Sequence, residues 1–197
     1  MCIRDRSQIF QVIRGIQTGE KIYAAMAPAF VGQFGPKVTA GKLRAAVKKL
    51  GFADVFEVAI GADLCAVQEA EDFLENVPEK LPFMGTSCCP AWVKYVETYY
   101  PEMREHISSA KSPIGMQGPT IKTYFAQKMG IDPEKIVNVA VTPCTAKKYE
   151  IRREEMHAAG SYLGIEGMRD MDYCITTREL ARWACLLYTS PSPRDCS

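Results

Sequence analysis

Two kinds of hydrophobic pattern alternate along the middle of the chain. Short apolar runs typical of β-strands lie at residues 22–27, 54–60, 81–84, 136–141 and 173–175. Helical periodicity predicts helices over residues 39–50 and 63–77, and others that begin near residues 145 and 176. Strands separated by helices predict an α/β fold, a parallel sheet with flanking helices. Ligands of such sheets bind beyond the carboxyl ends of the strands.

Capping signals mark the ends of two predicted helices. Thr39 can cap the helix that follows it, and Gly51 can end that helix. Thr176 and Glu179 have the spacing of a capping box, in which the two residues satisfy each other's backbone N–H groups. These signals predict where the helices begin and end more sharply than periodicity alone.

The two ends of the chain show neither helical nor strand periodicity. Residues 1–7 and 185–197 carry no regular pattern, and Pro191 and Pro193 would interrupt any element. Both strings resemble translated adapter sequence, although disordered native termini give the same pattern. We therefore expect non-native ends around a native domain over residues 8–184. We therefore assign no functional role to three cysteines: Cys2, Cys185 and Cys196.

The composition is that of an ordinary globular chain. The 197 residues are 47% hydrophobic and 24% charged, with a net charge of +1, so they lack the basic excess of a nucleic-acid-binding protein. No apolar run reaches the length of a membrane span and no secretory signal is visible, so we expect a cytoplasmic protein without membrane insertion. The eight cysteines lack the dense spacing of a secreted disulfide scaffold, which favours metal binding or reactive thiols.

The most informative stretch is TSCCPAW at residues 86–92, which contains two adjacent cysteines. Pro90 suits the first position of a helix, so Cys89 is expected at or near the N-cap. The partial positive charge of a helix N-terminus favours the thiolate that binds iron. A pair of small residues buried in a tight turn is the alternative interpretation of Cys88 and Cys89.

A second cysteine follows a β-branched run, in TPCTAKKYE at residues 142–150. Cys144 is expected where a strand ends and a helix begins, so its thiol could reach the same cleft. Lys147 lies three residues later on the same side of the helix and could donate hydrogen bonds to an anionic ligand. A solvated surface lysine is the alternative.

The predicted helix over residues 63–77 has two faces. Glu69, Asp72 and Asn76 fall at i, i+3 and i+7 and project from one side. An apolar stripe is expected on the opposing side. Its members are Val67, Ala70, Leu74 and Val77. Such a polar face is usually only solvated.

TSCCPAW and TPCTAKKYE resemble, in order and separation, two active-site motifs of iron-only (FeFe) hydrogenases. The resemblance extends from residue 21 through AKSP (110–113) to ITTREL (175–180). It implies one lobe plus part of a two-lobed catalytic domain. That domain holds an H-cluster, a 4Fe-4S cubane bridged to a di-iron subsite, and reversibly reduces protons to hydrogen. The partners implied are ferredoxin or another electron carrier, or an NAD-linked system, together with the hydrogenase maturation proteins.

The resemblance also implies roles for single residues. Cys89 and Cys144 match the first two cubane ligands, and Cys88 matches a thiol that relays protons to the azadithiolate ligand. Lys147 would contact a cyanide ligand of the di-iron subsite. Pro28 and Ala29 match pocket residues near that subsite, where many relatives have serine in place of the alanine.

A proton path is implied along the polar helix face. Glu69 and Ser108 match its members, Asp72 is a shortened equivalent of a glutamate, and Asn76 replaces an arginine at the outer end. Shortening a carboxylate can require an extra water for proton transfer. The inner part of the path, Glu69 and Ser108, therefore matches the family, whereas its outer end at Asn76 departs from it.

The third cysteine motif of the family, which carries two more cubane ligands, is not found in the sequence. We therefore expect this polypeptide alone to lack a stable H-cluster and hydrogenase activity. Alternatives are a hydrogenase-like protein of iron-sulfur assembly and a hydrogen-sensing homologue. The assembly relatives usually lack the relay cysteine, so the adjacent Cys88 and Cys89 favour a hydrogenase.

Overall fold

The computed structural model describes residues 7–188 as helices around one parallel sheet. In chain order the elements are α1 (Ile9–Gln17), β1 (Lys21–Met26), α2 (Ala40–Lys49), β2 (Asp54–Glu57), α3 (Ala59–Asn76), α4 (Pro90–Tyr99), α5 (Pro113–Thr120), α6 (Ala126–Met129), β3 (Ile136–Thr142), α7 (Lys147–Glu150), α8 (Ala158–Leu163), β4 (Tyr173–Thr176) and α9 (Thr177–Tyr188). A π-helical segment, Ile121–Phe125, joins α5 to α6. The α/β fold expected from the pattern is confirmed.

The sheet has four strands in the order β2-β1-β3-β4, and every pairing is parallel. Met26 at the end of β1 pairs with Val141 of β3 on one side and with Glu57 of β2 on the other. The chain thus leaves β1 toward one edge and returns through β3 on the opposite side. A crevice opens at such a switch point, beyond the carboxyl ends of the two central strands.

Both faces of the sheet are covered, because side chains of a buried strand alternate between two cores. Ile22 and Met26 of β1 point to a core shared with α1, α2 and α9. Tyr23 and Ala25 of the same strand point to a second core, which contains residues of α5 and α6. The long apolar runs of β1 and β3 reflect this double burial.

Local capping agrees with the sequence. The Thr39 hydroxyl accepts the Lys42 N–H at 3.3 Å, and Gly51 follows the end of α2 with a φ of 108°. The Thr176 N–H donates to Glu179 Oε2 at 2.6 Å, while the Glu179 N–H donates to Thr176 Oγ1 at 3.1 Å. Both the N-cap and the capping box are confirmed.

Three expectations about element bounds are wrong, and one helix is not predicted. The strand expected over residues 54–60 stops at Glu57, because the backbone turns into α3 at Ala59. No strand forms at residues 81–84; Gly85 makes an isolated bridge with Ile107 instead. The pattern does not predict helix α1, and α9 continues through residues 185–188, which are expected to follow no helical pattern. Residues 1–6 and 189–197 lie outside the described part of the chain.

Within the described residues, none of the helices has both the length and the apolar character needed to cross a membrane.

Candidate functional site

The crevice between β1 and β3 contains the first group of expected site residues. The Ala27 N–H donates to the Val141 carbonyl at 2.9 Å, so the segments that leave the two strands begin side by side. Pro28 and Ala29 follow β1 in a short 3-10 turn and are exposed. Cys144 follows β3 and is partly exposed. The structure thus places Pro28, Ala29 and Cys144 at the same edge of the sheet.

Two side chains join the turn after β1 to the start of α9. Gln33 Nε2 donates to the Ala29 carbonyl at 2.6 Å, and Thr177 Oγ1 donates to Gln33 Oε1 at 2.7 Å. The turn is therefore held from the start of α9 as well as from β1. Nothing in the sequence pattern indicates this link, because the residues are far apart along the chain.

The second cysteine segment, residues 142–147, is positioned by strand register. The Cys144 N–H donates to Thr142 Oγ1 at 3.3 Å, which turns the chain sharply at the end of the strand. Lys147 begins the short helix α7. The expectation that Cys144 stands between a strand and a helix is confirmed.

The first cysteine segment, residues 85–89, reaches the site without a strand. Cys89 is the N-cap of α4 and Pro90 occupies the first helical position, as expected. Cys88 and Cys89 are both exposed, so the alternative of two residues buried in a tight turn is wrong. The segment is held by hydrogen bonds of Gly85 with the backbone of His106 and Ser108, at 2.7 and 2.8 Å.

Lys147 joins the two cysteine segments. Its Nζ donates to the Cys88 carbonyl at 2.8 Å and lies 2.6 Å from Glu150 Oε2. The Lys147 side chain is only 13% exposed, so the alternative of a solvated surface lysine is wrong. A cation buried beside Cys88 is placed where an anionic ligand at the two cysteine segments would need a donor.

The polar face of α3 turns toward the first cysteine segment. Glu69 Oε1 accepts the Ser87 N–H at 3.2 Å. Asp72 Oδ2 accepts the hydroxyls of Ser108 and Ser109, at 3.3 and 2.8 Å. Asn76 Nδ2 donates to the Asp72 carbonyl at 2.7 Å. The structure therefore brings all four expected path residues together and adds Ser109, which the sequence did not single out.

The expected packing of α3 is inverted. Glu69 and Asp72 are half-buried, whereas Val67 and Leu74 of the apolar stripe are 60% and 78% exposed. Hydrogen-bond donors of residues 87–109 satisfy the carboxylates, which removes most of the penalty for burying them. Periodicity alone cannot predict such donors because they come from a distant segment.

Cys65 lies on α3 one turn before Glu69 and is buried, as is Cys174 in β4. Burial raises the pKa of the Cys65 thiol, and the nearby Glu69 and Cys88 raise it further, while Lys147 opposes them. Burial raises the pKa of Cys174 to about 12. Both thiols are therefore protonated packing residues at neutral pH, as the sequence indicated.

The donor set for an iron-sulfur cluster is partial in the described residues. Cys89 and Cys144 present accessible thiols from the two segments that Lys147 joins. A 4Fe-4S cluster takes four ligands, usually thiolates. Within residues 7–188, no group of three or more His, Cys, Asp or Glu side chains is gathered closely enough to hold a metal ion. The described residues thus offer two accessible thiols toward such a ligand set and do not complete it.

Glu150 and Ser112 are two buried polar residues next to the site that the sequence did not single out. Ser112 Oγ donates to Glu150 Oε1, and Glu150 pairs with Lys147. The spacing of Lys147 and Glu150, i and i+3 on one helix, is a signal that indicates an ion pair. The Ser112 contact comes from the start of α5, 38 positions away, and has no local signal.

Comparisons with solved structures agree with this fold. An apo FeFe-hydrogenase variant from Chlamydomonas reinhardtii superposes with a TM-score of 0.81 and 30% sequence identity. The match covers 94% of this chain and 49% of that one. The arrangement of sheet and helices described above is therefore that of a FeFe-hydrogenase domain.

Several curated proteins are similar in sequence. The periplasmic Fe hydrogenase large subunit of Nitratidesulfovibrio vulgaris is 47% identical over 148 residues, which are 73% of this chain and 33% of that protein. Iron hydrogenase 1 of Clostridium pasteurianum is 40% identical over 190 residues, 91% of this chain and 32% of that protein. A cytosolic Fe-S cluster assembly factor of Sclerotinia sclerotiorum is 39% identical over 150 residues, 74% of this chain and 26% of that protein.

The chain thus spans about a third of the length of the hydrogenases it matches. The sequence model for the C-terminal domain of the iron-only hydrogenase large subunit matches residues 20–186. That match covers most of the chain and includes both cysteine segments, the polar face of α3 and the whole parallel sheet. The chain therefore belongs to the family formed by the C-terminal domains of iron-only hydrogenase large subunits.

Proposed function

We propose that this chain supplies one side of the H-cluster site of a FeFe hydrogenase, together with the path that brings protons to it. The observation that carries the proposal is the bond from Lys147 Nζ to the Cys88 carbonyl at 2.8 Å. It joins the segment of Cys88 and Cys89 to the segment of Cys144 at the switch point of the sheet. This bond brings together the segments that carry two candidate iron ligands, the proposed relay thiol and a cation. These are Cys89, Cys144, Cys88 and Lys147.

The proposed ligands follow from the resemblance to the hydrogenase motifs, and their thiols are accessible. Cys89 and Cys144 would bind the cubane, and Pro28 and Ala29 would border the di-iron subsite from the turn after β1. Lys147 would donate to a cyanide ligand. When bound, the H-cluster would provide the iron site at which protons are reversibly reduced to hydrogen with electrons from an external carrier. The remaining ligands would come from the part of the domain that lies beyond this third of the relatives' length.

The chain's own contribution to the reaction is proton delivery. Asp72 accepts hydrogen bonds from Ser108 and Ser109, so its carboxylate can exchange a proton with either hydroxyl. Glu69, one turn earlier on α3, bonds to the backbone N–H of Ser87, next to Cys88. We propose the order Asp72, Ser108, Glu69 and Cys88, with water completing the steps between side chains that do not touch. Asn76 fixes the Asp72 end by its bond to the Asp72 carbonyl.

The proposed partners follow from the same proposal. A reductant such as ferredoxin, another electron-carrier protein or an NAD-linked system would supply electrons, and hydrogenase maturation proteins would install the di-iron subsite. A role in iron-sulfur assembly is the second candidate, favoured by the 39% identity to a cytosolic Fe-S cluster assembly factor. The exposed Cys88 thiol beside Cys89 discriminates the two functions, since a protein that makes no hydrogen has no use for a proton relay there.

The test is a chimera in which residues 20–186 replace the matching segment of the Clostridium pasteurianum iron hydrogenase, produced with the maturation proteins. We expect the infrared bands of the carbon monoxide and cyanide ligands together with hydrogen evolution. Cys88→Ala should keep the bands and lower hydrogen evolution by roughly 100-fold or more, as for loss of a positioned proton donor. Cys185→Ser, outside both cysteine segments, is the matched control and should leave both readouts unchanged.

Two results would contradict the proposal at different points. Absence of the bands in the chimera, while the parental hydrogenase shows them, would overturn the cluster site. Bands with undiminished hydrogen evolution in Cys88→Ala would overturn the proton-relay role and favour a different route to the site.

A further inference from the structure

A buried carboxylate lies behind the lysine that joins the two cysteine segments. The Glu150 side chain is 5% exposed and that of Lys147 13% exposed. Glu150 Oε2 lies 2.6 Å from Lys147 Nζ, so the two charges form an ion pair. A charge buried to this degree is stable only when it is paired and hydrogen-bonded. The pair therefore belongs to the interior of the domain, unlike the exposed ion pairs of the surface.

The other carboxylate oxygen, Oε1, accepts a hydrogen bond, whereas Oε2 has the ion pair alone among the described residues. Ser112 Oγ donates to Glu150 Oε1, and the same serine, 2% exposed, is the N-cap of α5. A continuous chain of contacts thus runs from Ser112 through Glu150 and Lys147 to the Cys88 carbonyl. It crosses the start of α5, helix α7 and the first cysteine segment, which are distant in sequence.

A lysine needs such support to act as an aimed donor. Its four-carbon stem rotates freely, and its ammonium has three donors without a preferred direction. The Cys88 carbonyl occupies one donor, and the Glu150 carboxylate balances the charge of the ammonium. The third donor remains for a ligand held between the two cysteine segments.

We propose that Glu150 is a positioning residue, which acts through Lys147 to aim its ammonium at the ligand side of the site, and that Ser112 holds Glu150 in place. This inference rests on the proposed function, since the target of the ammonium is the cyanide ligand of the H-cluster. Glu150 itself touches no reacting atom. It sets the direction of the Lys147 ammonium, which would donate to the ligand.

The first test needs no iron and uses the full chain. Lysine acetylation with a water-soluble reagent is followed residue by residue by mass spectrometry. Glu150→Gln should increase the acetylation rate of Lys147 by roughly tenfold or more, as expected when the partner of a buried ion pair is lost. Lys148, which pairs with Glu179 at 2.8 Å, is the internal control and should keep its rate. Glu154→Gln, an exposed carboxylate in the same region, is the matched control.

A second variant keeps the test decisive if Glu150→Gln does not fold. Ser112→Ala leaves the carboxylate but releases it, so the acetylation rate of Lys147 should rise to a smaller extent. A wild-type rate at Lys147 in the folded variants would overturn the proposal. An equal rise at Lys148 would also overturn it, because it would show general loosening of α7.

The second readout is spectroscopic and uses the loaded chimera. Glu150→Gln should shift or broaden the infrared bands of cyanide, and Glu150→Asp should restore them in part, because it returns the charge on a shorter stem. Unchanged cyanide bands would overturn the positioning role. A chimera without any bands would instead contradict the proposed function, while the acetylation rates would still decide whether Glu150 positions Lys147.

Discussion

The two cysteine segments reach one site by different physical means. Cys144 directly follows β3, a central strand whose residues 139–141 are fully buried and paired on both sides. Cys88 and Cys89 lie in a connection outside the sheet, which is held by one isolated bridge, the Glu69 carboxylate and the Lys147 ammonium. The position of the second segment is therefore set by strand register, and that of the first by contacts between distant side chains.

We therefore expect the segment of Cys144 to be rigid and the segment of Cys88 and Cys89 to open more easily. A strand in the middle of a sheet opens only when the whole domain unfolds, whereas a loop held by a few polar contacts can open locally. In the proposed function the first segment carries the proton relay as well, so its contacts also decide when the relay is in place.

Hydrogen exchange should show most clearly that the two cysteine segments differ in local stability. We expect the amides of Val139 and Val141 to exchange only by global unfolding, and those of Ser87 and Cys88 to exchange faster by roughly a factor of 1000 or more. Lys147→Met should raise exchange at Ser87 and Cys88 further and leave β3 unchanged. Equal protection of the two segments in the unsubstituted chain would mean that the loop opens only with the sheet, contrary to the comparison.

A glycine at the crossing of α3 and α5 offers the next largest effect. A Cβ added to Gly61 would lie 2.2 Å from the Pro113 carbonyl oxygen, a backbone atom that cannot move aside cheaply. We expect Gly61→Ala to lower the free energy of unfolding by roughly 1–3 kcal/mol, measured by urea denaturation. The loss of structure should be largest in the first cysteine segment, because α3 carries Glu69, which bonds to the Ser87 N–H.

The matched control for this change is Gly41→Ala. Gly41 lies in α2 and an added Cβ would meet nothing within 4 Å. Better helix propensity should raise the free energy of unfolding by up to about 1 kcal/mol. If Gly61→Ala were as stable as Gly41→Ala, the α3 and α5 crossing would not be the support that the geometry indicates.

The same difference explains how much could be predicted from the sequence. The parallel sheet, the strand that ends before Cys144 and the N-cap at Cys89 follow from periodicity and local capping. The positions of Cys88 and Lys147 relative to each other do not, because 59 residues separate the bonded pair.

The errors have related physical causes. The strand expected over residues 81–84 rests on a short apolar run, but the only β-bridge in this part of the described chain is formed by the neighbouring Gly85 with Ile107. The inward turn of Glu69 and Asp72 depends on donors from another segment, whereas hydrophobic periodicity places such residues outside. Short-range patterns therefore predict the fold and the fixed side of the site, and miss the contacts that hold its other side.

The smallest expected effect concerns the fixed side, where α7 is tied to α9. Burial tends to raise the pKa of Glu179, but hydrogen bonds from Lys148 and the Thr176 N–H outweigh it and hold the pKa below its usual range. A carboxyl whose folded pKa is depressed stabilises the fold above its unfolded pKa, and this contribution is lost as the pH falls through the folded pKa. Glu179→Gln should therefore cost about 1 kcal/mol at pH 7.

The cost should shrink as the pH falls below the usual range of a glutamate and through the depressed pKa of Glu179, where the carboxyl of the unsubstituted chain takes up its proton. Urea denaturation of both proteins across this range measures the difference directly, with Glu154→Gln as the exposed control. Exchange at Cys144 should rise in Glu179→Gln while exchange at Ser87 stays constant, because only the second segment is tied to α9. A difference independent of pH would show that Glu179 stabilises α9 as a neutral hydrogen-bonding cap and that its charge does not contribute.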